Sequence, residues 1–134
     1  ILTPHPAEAG RLLGCTTAEI QADRLAAARA LVTRYGGVVV LKGAGTLVDD
    51  GREVALCAGA NPGLASGGMG DVLTGLIAGL LAQGLTPFAA ARAGVQLHLR
   101  AGTLAARAMG VPGMLASEVI AQIAPALTES GRAA

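Results

Sequence analysis

A glycine-rich segment of the chain combines the residue types that anion chemistry requires. It reads Asn61-Pro-Gly-Leu-Ala-Ser-Gly-Gly-Met-Gly-Asp-Val-Leu-Thr-Gly75. Gly67, Gly68 and Gly70 lack a Cβ atom, so their backbone can adopt positive φ angles and approach a ligand closely. An apolar helix is predicted to follow, and the free N–H groups and positive dipole end of a helix N-terminus bind phosphate. The segment therefore predicts a phosphate site.

Asp71 follows these glycines directly. Its carboxylate would repel a resting phosphate, so we expect it to do something other than bind one. A carboxylate in this position can take a proton from a hydroxyl while the anion site holds a phosphoryl group. The alternative is an ordinary first-turn acid, which the helix dipole also stabilises. Spacing alone leaves both interpretations open.

Composition excludes several classes of function. The chain has 134 residues, 52% of them apolar and 14% charged, which predicts one folded domain rather than a disordered segment. With one Phe, one Tyr, no Trp and a net charge of +1, it lacks the features of a nucleic-acid or membrane-surface binder. The longest apolar run, residues 72–82, is too short to span a bilayer. We therefore expect neither nucleic acid nor membrane as a partner.

The cysteines indicate the cellular compartment of the protein, and the first residues indicate whether the chain is part of a longer protein. Cys15 and Cys57 form no CxxC pair, no His/Cys cluster suggests zinc, and no signal peptide is evident. These features predict reduced thiols in a cytoplasmic protein. The chain begins at Ile1, inside a predicted strand. We therefore expect it to be part of a longer protein.

The elements that must position these residues follow an α/β order. Strands are predicted over 1–3, 38–41, 46–48 and 53–56, and the run 38–41 is typical of a strand buried on both faces. Lys42 follows that strand at its carboxyl end, where open α/β sheets place ligands, although a solvated strand-end lysine is the alternative. Helices are predicted over 8–13, from Thr16 to Tyr35, from the glycine segment to Gln83, from Thr86 to Met109, and from Ser117 to Ala124 with an interruption at Pro125. Residues 126–134 are predicted to be a frayed tail.

Three segments together resemble a known family. Thr3-Pro4-His5-Pro6-Ala7-Glu8, then Leu41-Lys42-Gly43-Ala44-Gly45-Thr46, then the glycine-rich segment stand in the order and spacing of the ADP/ATP-dependent NAD(P)H-hydrate dehydratases. The resemblance runs from Ile1 to about Pro125 and implies that residues 1–134 are the C-terminal part of a ribokinase-like domain. The implied fold class is α/β, a layered sheet with helices on both faces.

The resemblance also implies an activity. Members of this family repair hydrated NADH and NADPH, abbreviated NADHX and NADPHX. The terminal phosphate of ADP or ATP activates the hydrate hydroxyl, and loss of phosphate restores the dihydronicotinamide ring. This is a carbon–oxygen lyase reaction, with ADP or ATP and Mg²⁺ as cofactors. Separately, the apolar and unpaired strand edges expected at 1–3 and 38–41 favour association with another chain, so a homo-oligomer is expected.

The roles of individual residues follow from the same resemblance. Asp71 is expected to be the catalytic base and a substrate contact, and His5 a second substrate contact. Glu8 is expected to organise Mg²⁺. The expected anion hole is Gly67, Gly68 and Gly70, and the expected nucleotide contacts are Lys42, Gly43, Ala44, Gly45, Thr46 and Gly70.

Departures from the family and competing interpretations remain at this point. Ala7 and Leu99 stand where the family commonly has glycine, and Thr103 where it commonly has aspartate. His98 is expected to be a hydrogen-bonded packing residue outside the site. The alternative functions are a vitamin-precursor or sugar kinase of the same fold and a non-catalytic nucleotide-binding remnant. His5 in its Thr-Pro-His-Pro segment favours the dehydratases, and an intact Asp71 argues against a remnant.

Overall fold

A three-stranded antiparallel sheet forms the centre of the protein. The computed structural model describes residues 1–132, and the side chains of residues 1–128. The strands β1 (Val39–Leu41), β2 (Thr46–Asp49) and β3 (Val54–Cys57) lie in that order, with Val40 opposite Val48 and Val48 opposite Ala55. Three of the four strands predicted from the sequence, those over 38–41, 46–48 and 53–56, are confirmed to within one residue at each end.

The first residues of the chain extend this sheet beside β1. Leu2 forms a parallel bridge with Val39, and its N–H donates to the Val38 carbonyl at 2.9 Å. The Lys42 N–H in turn donates to the Pro4 carbonyl at 2.9 Å. This pairing brings the segment that carries His5 to the carboxyl end of β1, next to Lys42.

Three helices follow one another along the chain and pack against one face of the sheet. They are α1 (Pro6–Leu13), α2 (Thr17–Ala22) and α3 (Arg24–Tyr35). The prediction of a single helix from Thr16 to Tyr35 is wrong, because the helix is interrupted at Asp23. The Asp23 carboxylate accepts a hydrogen bond from the Ala26 N–H at 2.9 Å and so begins a new helix.

The second half of the chain is helical. The helices are α4 (Met69–Ala82), α5 (Pro87–Met109), α6 (Ala116–Ala121) and α7 (Ile123–Arg132), and 3-10 turns occupy Pro62–Ala65 and Val111–Gly113. The long helix α5 is confirmed, with the Thr86 side chain capping the Ala89 N–H at 3.4 Å.

The predicted boundaries near the end of the chain are partly wrong. The predicted Ser117 cap is replaced by Leu115, whose N–H donates to the Glu118 carboxylate at 2.7 Å. Pro125 does not interrupt a helix, since it lies in the first turn of α7, where a proline N–H is not needed. The predicted tail over 126–134 lies partly outside the described residues.

Helices cover both faces of the sheet, as predicted. Alternate side chains of a strand point to opposite faces, so Val40 and Val48 pack with Leu73 of α4 and Val95 of α5. Val39, Leu41 and Leu47 pack on the other face, against α1, α2 and α3. Within residues 1–132, every helix falls short of the length or apolarity needed to cross a membrane.

Candidate functional site

A cleft of about 520 Å³ opens at the carboxyl end of β1. Its walls come from the loop after β1, the 3-10 turn Pro62–Ala65 and helices α4 and α5. The structure thus brings together six of the predicted site residues, namely His5, Lys42, Gly43, Ala44, Thr46 and Gly70. Five others lie outside the cleft lining, namely Glu8, Gly45, Gly67, Gly68 and Asp71.

The Lys42 loop, residues 42–46, has a backbone that only glycine adopts easily. Gly43 has φ 142° and Gly45 has φ 69°, both in the left-handed half of φ space. The Thr46 hydroxyl donates to the Gly43 carbonyl at 3.0 Å, and the Gly45 N–H donates to the Gly59 carbonyl at 3.3 Å. The loop therefore forms a compact turn along one wall of the cleft.

The Lys42 ammonium lies beside the start of α4. Its Nζ atom is 3.7 Å from Glu8 Oε2. The same atom is 3.0 Å from the position that a Cβ on Gly70 would occupy. Gly70 thus leaves space for a cation next to the positive end of the α4 dipole, and two sources of positive potential meet at this point of the cleft.

The first turn of α4 presents unpaired donors. Gly68 occupies the N-cap position with φ 82° and offers no side-chain cap. Its carbonyl accepts from the N–H groups of Asp71 and Val72, both at 3.1 Å. Within residues 1–132, the N–H groups of Gly67, Gly68 and Gly70 have no backbone acceptor. Of these three glycines only Gly68 has a positive φ. The three N–H groups of the predicted anion hole are thus available as donors, and only Gly68 among them adopts a conformation that favours glycine.

Asp71 lines a second, more open depression, which we call the Asp71 depression. Its other lining residues are Gly68, Val72, Gly75, Leu76, Ala116, Ile120 and Ile123, most of them apolar. Asp71 is exposed and is the third residue of α4. Gly70 lines the cleft whereas Gly68 and Asp71 line the depression, so the glycine turn lies between the two spaces.

Glu8 and His5 form a reciprocal helix cap. The His5 N–H donates to Glu8 Oε2 at 2.7 Å, and the Glu8 N–H donates to His5 Nδ1 at 3.2 Å. The hydrogen bond from the His5 backbone lowers the pKa of Glu8, and the charges of Lys42, His5 and Arg11 lower it further against the effect of burial. No group of three His, Cys, Asp or Glu side chains that could hold a metal occurs in the described part of the chain. The role of Glu8 toward Mg²⁺ stays a prediction.

His98, expected from the sequence to lie outside the site, lines the cleft from α5. Its side chain is 7% exposed, and its Nε2 atom has no hydrogen-bond partner among the described residues. Burial lowers the pKa of His98; the Met69 carbonyl opposes this shift, and the charge of Lys42 adds to it. The imidazole is therefore neutral near pH 7, with a buried polar atom in the cleft wall.

Comparisons with known proteins agree on one family. A family model described as NAD(P)H-hydrate dehydratase matches residues 1–125. The bifunctional NAD(P)H-hydrate repair enzyme Nnr of Vibrio cholerae is 60% identical over 120 residues, which are 90% of this chain and 24% of that protein. The ADP-dependent (S)-NAD(P)H-hydrate dehydratase of Neisseria meningitidis is 51% identical over 121 residues, which are 89% of this chain and 41% of that protein.

Solved structures confirm the predicted fold class. The ADP/ATP-dependent NAD(P)H-hydrate dehydratase of Bacillus subtilis, co-crystallised with ATP/Mg²⁺ and soaked with CoA, superposes with a TM-score of 0.89 at 32% identity. The match covers 96% of this chain and 48% of that one. A ribokinase-like superfamily protein of Enterococcus faecalis gives a TM-score of 0.75 at 32% identity, over 94% of this chain and 43% of that one. The chain thus spans less than half the length of these relatives.

Proposed function

The chain belongs to the NAD(P)H-hydrate dehydratase family, and from this premise we propose that it binds the nucleotide and supplies the catalytic base of an ADP- or ATP-dependent NAD(P)H-hydrate dehydratase. The observation that carries the proposal is the position of the first turn of α4 between the cleft and the Asp71 depression. The activity is proposed for a longer domain, which has the length of the relatives and contains this chain. We call this longer domain the full-length domain.

In this proposal the nucleotide occupies the cleft. The Lys42 loop contacts the nucleotide, and the Lys42 ammonium approaches its phosphates from the side of Gly70. The N–H groups of Gly67, Gly68 and Gly70 receive the terminal phosphoryl group, because they are donors without a backbone acceptor at a helix N-terminus. Catalysis of phosphoryl transfer rests mainly on such positioning and charge stabilisation.

The hydrated dinucleotide is proposed to reach Asp71 from the opposite side. The hydrate hydroxyl attacks the terminal phosphorus, its proton passes to the Asp71 carboxylate, and the bond from phosphorus to the nucleotide breaks. ATP would leave as ADP, and ADP as AMP. The phosphate ester then leaves as inorganic phosphate with the electron pair of its carbon–oxygen bond, and the ring nitrogen stabilises the resulting cation as an iminium. Loss of a proton from the neighbouring ring carbon to solvent leaves its C–H electron pair to form the carbon–carbon double bond. His5 is proposed to contact the substrate at the mouth of the cleft.

Mg²⁺ is assigned to the nucleotide rather than to a site made by the chain. The Glu8 carboxylate, predicted to organise Mg²⁺, already accepts from the His5 N–H and lies near Lys42, and the described residues contain no group of three His, Cys, Asp or Glu side chains that could hold a metal. Mg²⁺ commonly binds through substrate phosphates with few protein ligands. A relative co-crystallised with ATP/Mg²⁺ supports the pairing of metal and nucleotide.

We also propose that the protein is cytoplasmic and forms a homo-oligomer. Apolar side chains are exposed around the last helices, namely Met109, Val111, Leu115, Ile120 and Leu127. Exposed apolar groups of this kind are typical of surfaces that another chain covers. Light scattering of the full-length domain should give more than the mass of one subunit, and a monodisperse monomer would contradict the proposal.

Product analysis tests the main proposal. The full-length domain is incubated with NADHX and either ADP or ATP, and we expect recovered NADH to equal released inorganic phosphate. A stable phosphorylated hydrate without elimination would indicate a kinase instead. Nucleotide binding without any turnover would indicate a non-catalytic remnant. Running both nucleotides side by side also identifies the donor.

A further inference from the structure

Arg24, the first residue of α3, is bound to the underside of the Lys42 loop. Its Nη2 atom donates to the carbonyl oxygens of Leu41 at 3.2 Å, Lys42 at 3.4 Å and Gly45 at 3.2 Å. Its Nη1 atom donates to Gln21 Oε1 at 3.1 Å. One guanidinium therefore joins the end of β1 to the far side of the loop.

The guanidinium also lies against the backbone of the loop. A Cβ atom placed on Gly43 would be 2.5 Å from Arg24 Nη1, so any side chain at this position would displace the guanidinium. The loop contains two glycines with positive φ, and glycine loses more conformational freedom on ordering than any other residue. The hydrogen bond from the Thr46 hydroxyl to the Gly43 carbonyl holds the loop from within, and contacts from outside that fix its other carbonyl groups reduce its conformational freedom further.

The guanidinium of Arg24 is suited to binding several carbonyl groups of the Lys42 loop at once. A guanidinium carries five donors in a planar fork, whereas a lysine ammonium is a compact point charge. Among the side chains of residues 1–128, no carboxylate forms an ion pair with Arg24, and carbonyl oxygens receive its donors instead. Its positive charge therefore lies, without a carboxylate partner among those side chains, beneath the loop that is proposed to receive an anionic nucleotide.

We infer that Arg24 is a positioning residue for nucleotide binding, which fixes the Lys42 loop in the conformation that presents Lys42 to the cleft. The inference rests on the proposed nucleotide role of that loop. Arg24 does not line the cleft, so it acts through the loop and makes no contact with the ligand.

Two substitutions in the full-length domain test the inference. R24K keeps the charge but loses the fork, and R24Q loses both. We expect the KM and Kd for the nucleotide to rise about tenfold in R24K and further in R24Q, which corresponds to roughly 1.4 kcal/mol per tenfold step. The KM for the hydrate and the kcat at saturating nucleotide should change less than threefold. Hydrogen exchange should accelerate in the peptide that contains residues 42–46.

R29K is the matched control, because it makes the same replacement on the same helix. Arg29 Nε lies 3.1 Å from the buried Asp49 Oδ2 and does not contact the Lys42 loop. R29K is expected to lower the unfolding temperature and to leave the Kd for the nucleotide unchanged. A merely structural role for Arg24 would make R24K and R29K behave alike.

The outcomes separate this inference from the proposed function. A wild-type domain that binds neither ADP nor ATP would overturn both. A wild-type domain that binds nucleotide, with unchanged Kd in R24K and R24Q, would overturn the role of Arg24 alone. Equal loss of affinity in R24K and R29K, or a failure of both Arg24 variants to fold, would identify Arg24 as a general stabiliser of the fold and would also overturn the inference.

Discussion

The two spaces that meet at the start of α4 are built in different ways. The cleft is closed by the sheet, the Lys42 loop, a 3-10 turn and two long helices, and its wall includes a histidine that is only 7% exposed. The Asp71 depression is lined by one face of α4 and by α6 and α7, where Ile120 remains 55% exposed. The described residues therefore enclose the proposed nucleotide cleft more fully than the surface around the proposed base.

This difference separates two kinds of substitution. Changes at the cleft should act on nucleotide affinity, because the nucleotide is proposed to bind there. Changes at the Asp71 depression should act on turnover or on the hydrate, because the proposed base and acceptor meet there. A substitution in the cleft that altered hydrate binding, or one in the Asp71 depression that altered nucleotide affinity, would contradict this division between the two spaces.

Asp71→Asn is expected to have the largest effect. If Asp71 takes the hydroxyl proton, kcat should fall by roughly 10²–10⁴-fold, while the Kd for the nucleotide should change little or decrease. Steady-state kinetics and calorimetry on the full-length domain measure the two effects separately. D50N, at a partly buried aspartate of the turn between β2 and β3, is the matched control and should leave kcat unchanged. Turnover of D71N within threefold of the wild type would refute the role as base.

Gly70→Val should affect the nucleotide side. Its Cβ would lie 3.0 Å from Lys42 Nζ, and its branches would block the approach of a phosphate to the first turn of α4. We expect the Kd for ADP or ATP to rise by about two orders of magnitude, which corresponds to roughly 2.7 kcal/mol of binding free energy. G79A is the control, because a Cβ on Gly79 meets no atom within 4 Å. Unchanged affinity in G70V would remove Gly70 from the phosphate site.

Ile120→Ser should affect the hydrate side more mildly. Ile120 lines the Asp71 depression, and removal of its apolar contact should raise the KM for the hydrate by about fivefold, or roughly 1 kcal/mol. The KM for the nucleotide should stay the same. L127S is the control, since Leu127 is similarly exposed but lies outside the depression. A hydrate KM that responds equally to both substitutions would show that the depression does not receive the substrate.

The elements that were predicted correctly are marked by strong local sequence patterns. The run of β-branched residues at 38–41 produced β1, and Thr86 with Pro87 marked the start of α5 to the residue. The missed break at Asp23, and the N-cap found at Leu115 instead of Ser117, concern the choice of a helix boundary. Such choices depend on how the following helix packs, which local propensity does not contain.

The residues missed at the site depend on contacts far along the chain. Arg24 bonds carbonyl groups 17, 18 and 21 residues away, so no local pattern distinguishes it from other helix arginines. His98 lies on the buried face of α5 near Leu97 and Ala101, and this helical spacing was a usable sign that its ring is enclosed. The glycine-rich motif, in contrast, was identified from local sequence alone, because glycines directly before an apolar helix are typical of an anion site.

The last and smallest expected effect tests the enclosed character of the cleft wall. Burial lowers the pKa of His98 below its ordinary value of 6.5, so the unfolded state takes up this proton more readily than the folded state. His98 therefore contributes stability above about pH 6.5 that is lost as pH falls toward its folded pKa, with a slope of at most about 1.4 kcal/mol per pH unit for one proton. Denaturant unfolding of the full-length domain between about pH 7.5 and 5 measures this slope. H98Q should flatten it. An equal slope in the wild type and H98Q would mean that His98 is accessible to protons in the folded protein, and the contrast between an enclosed cleft and an open depression would then fail at this residue.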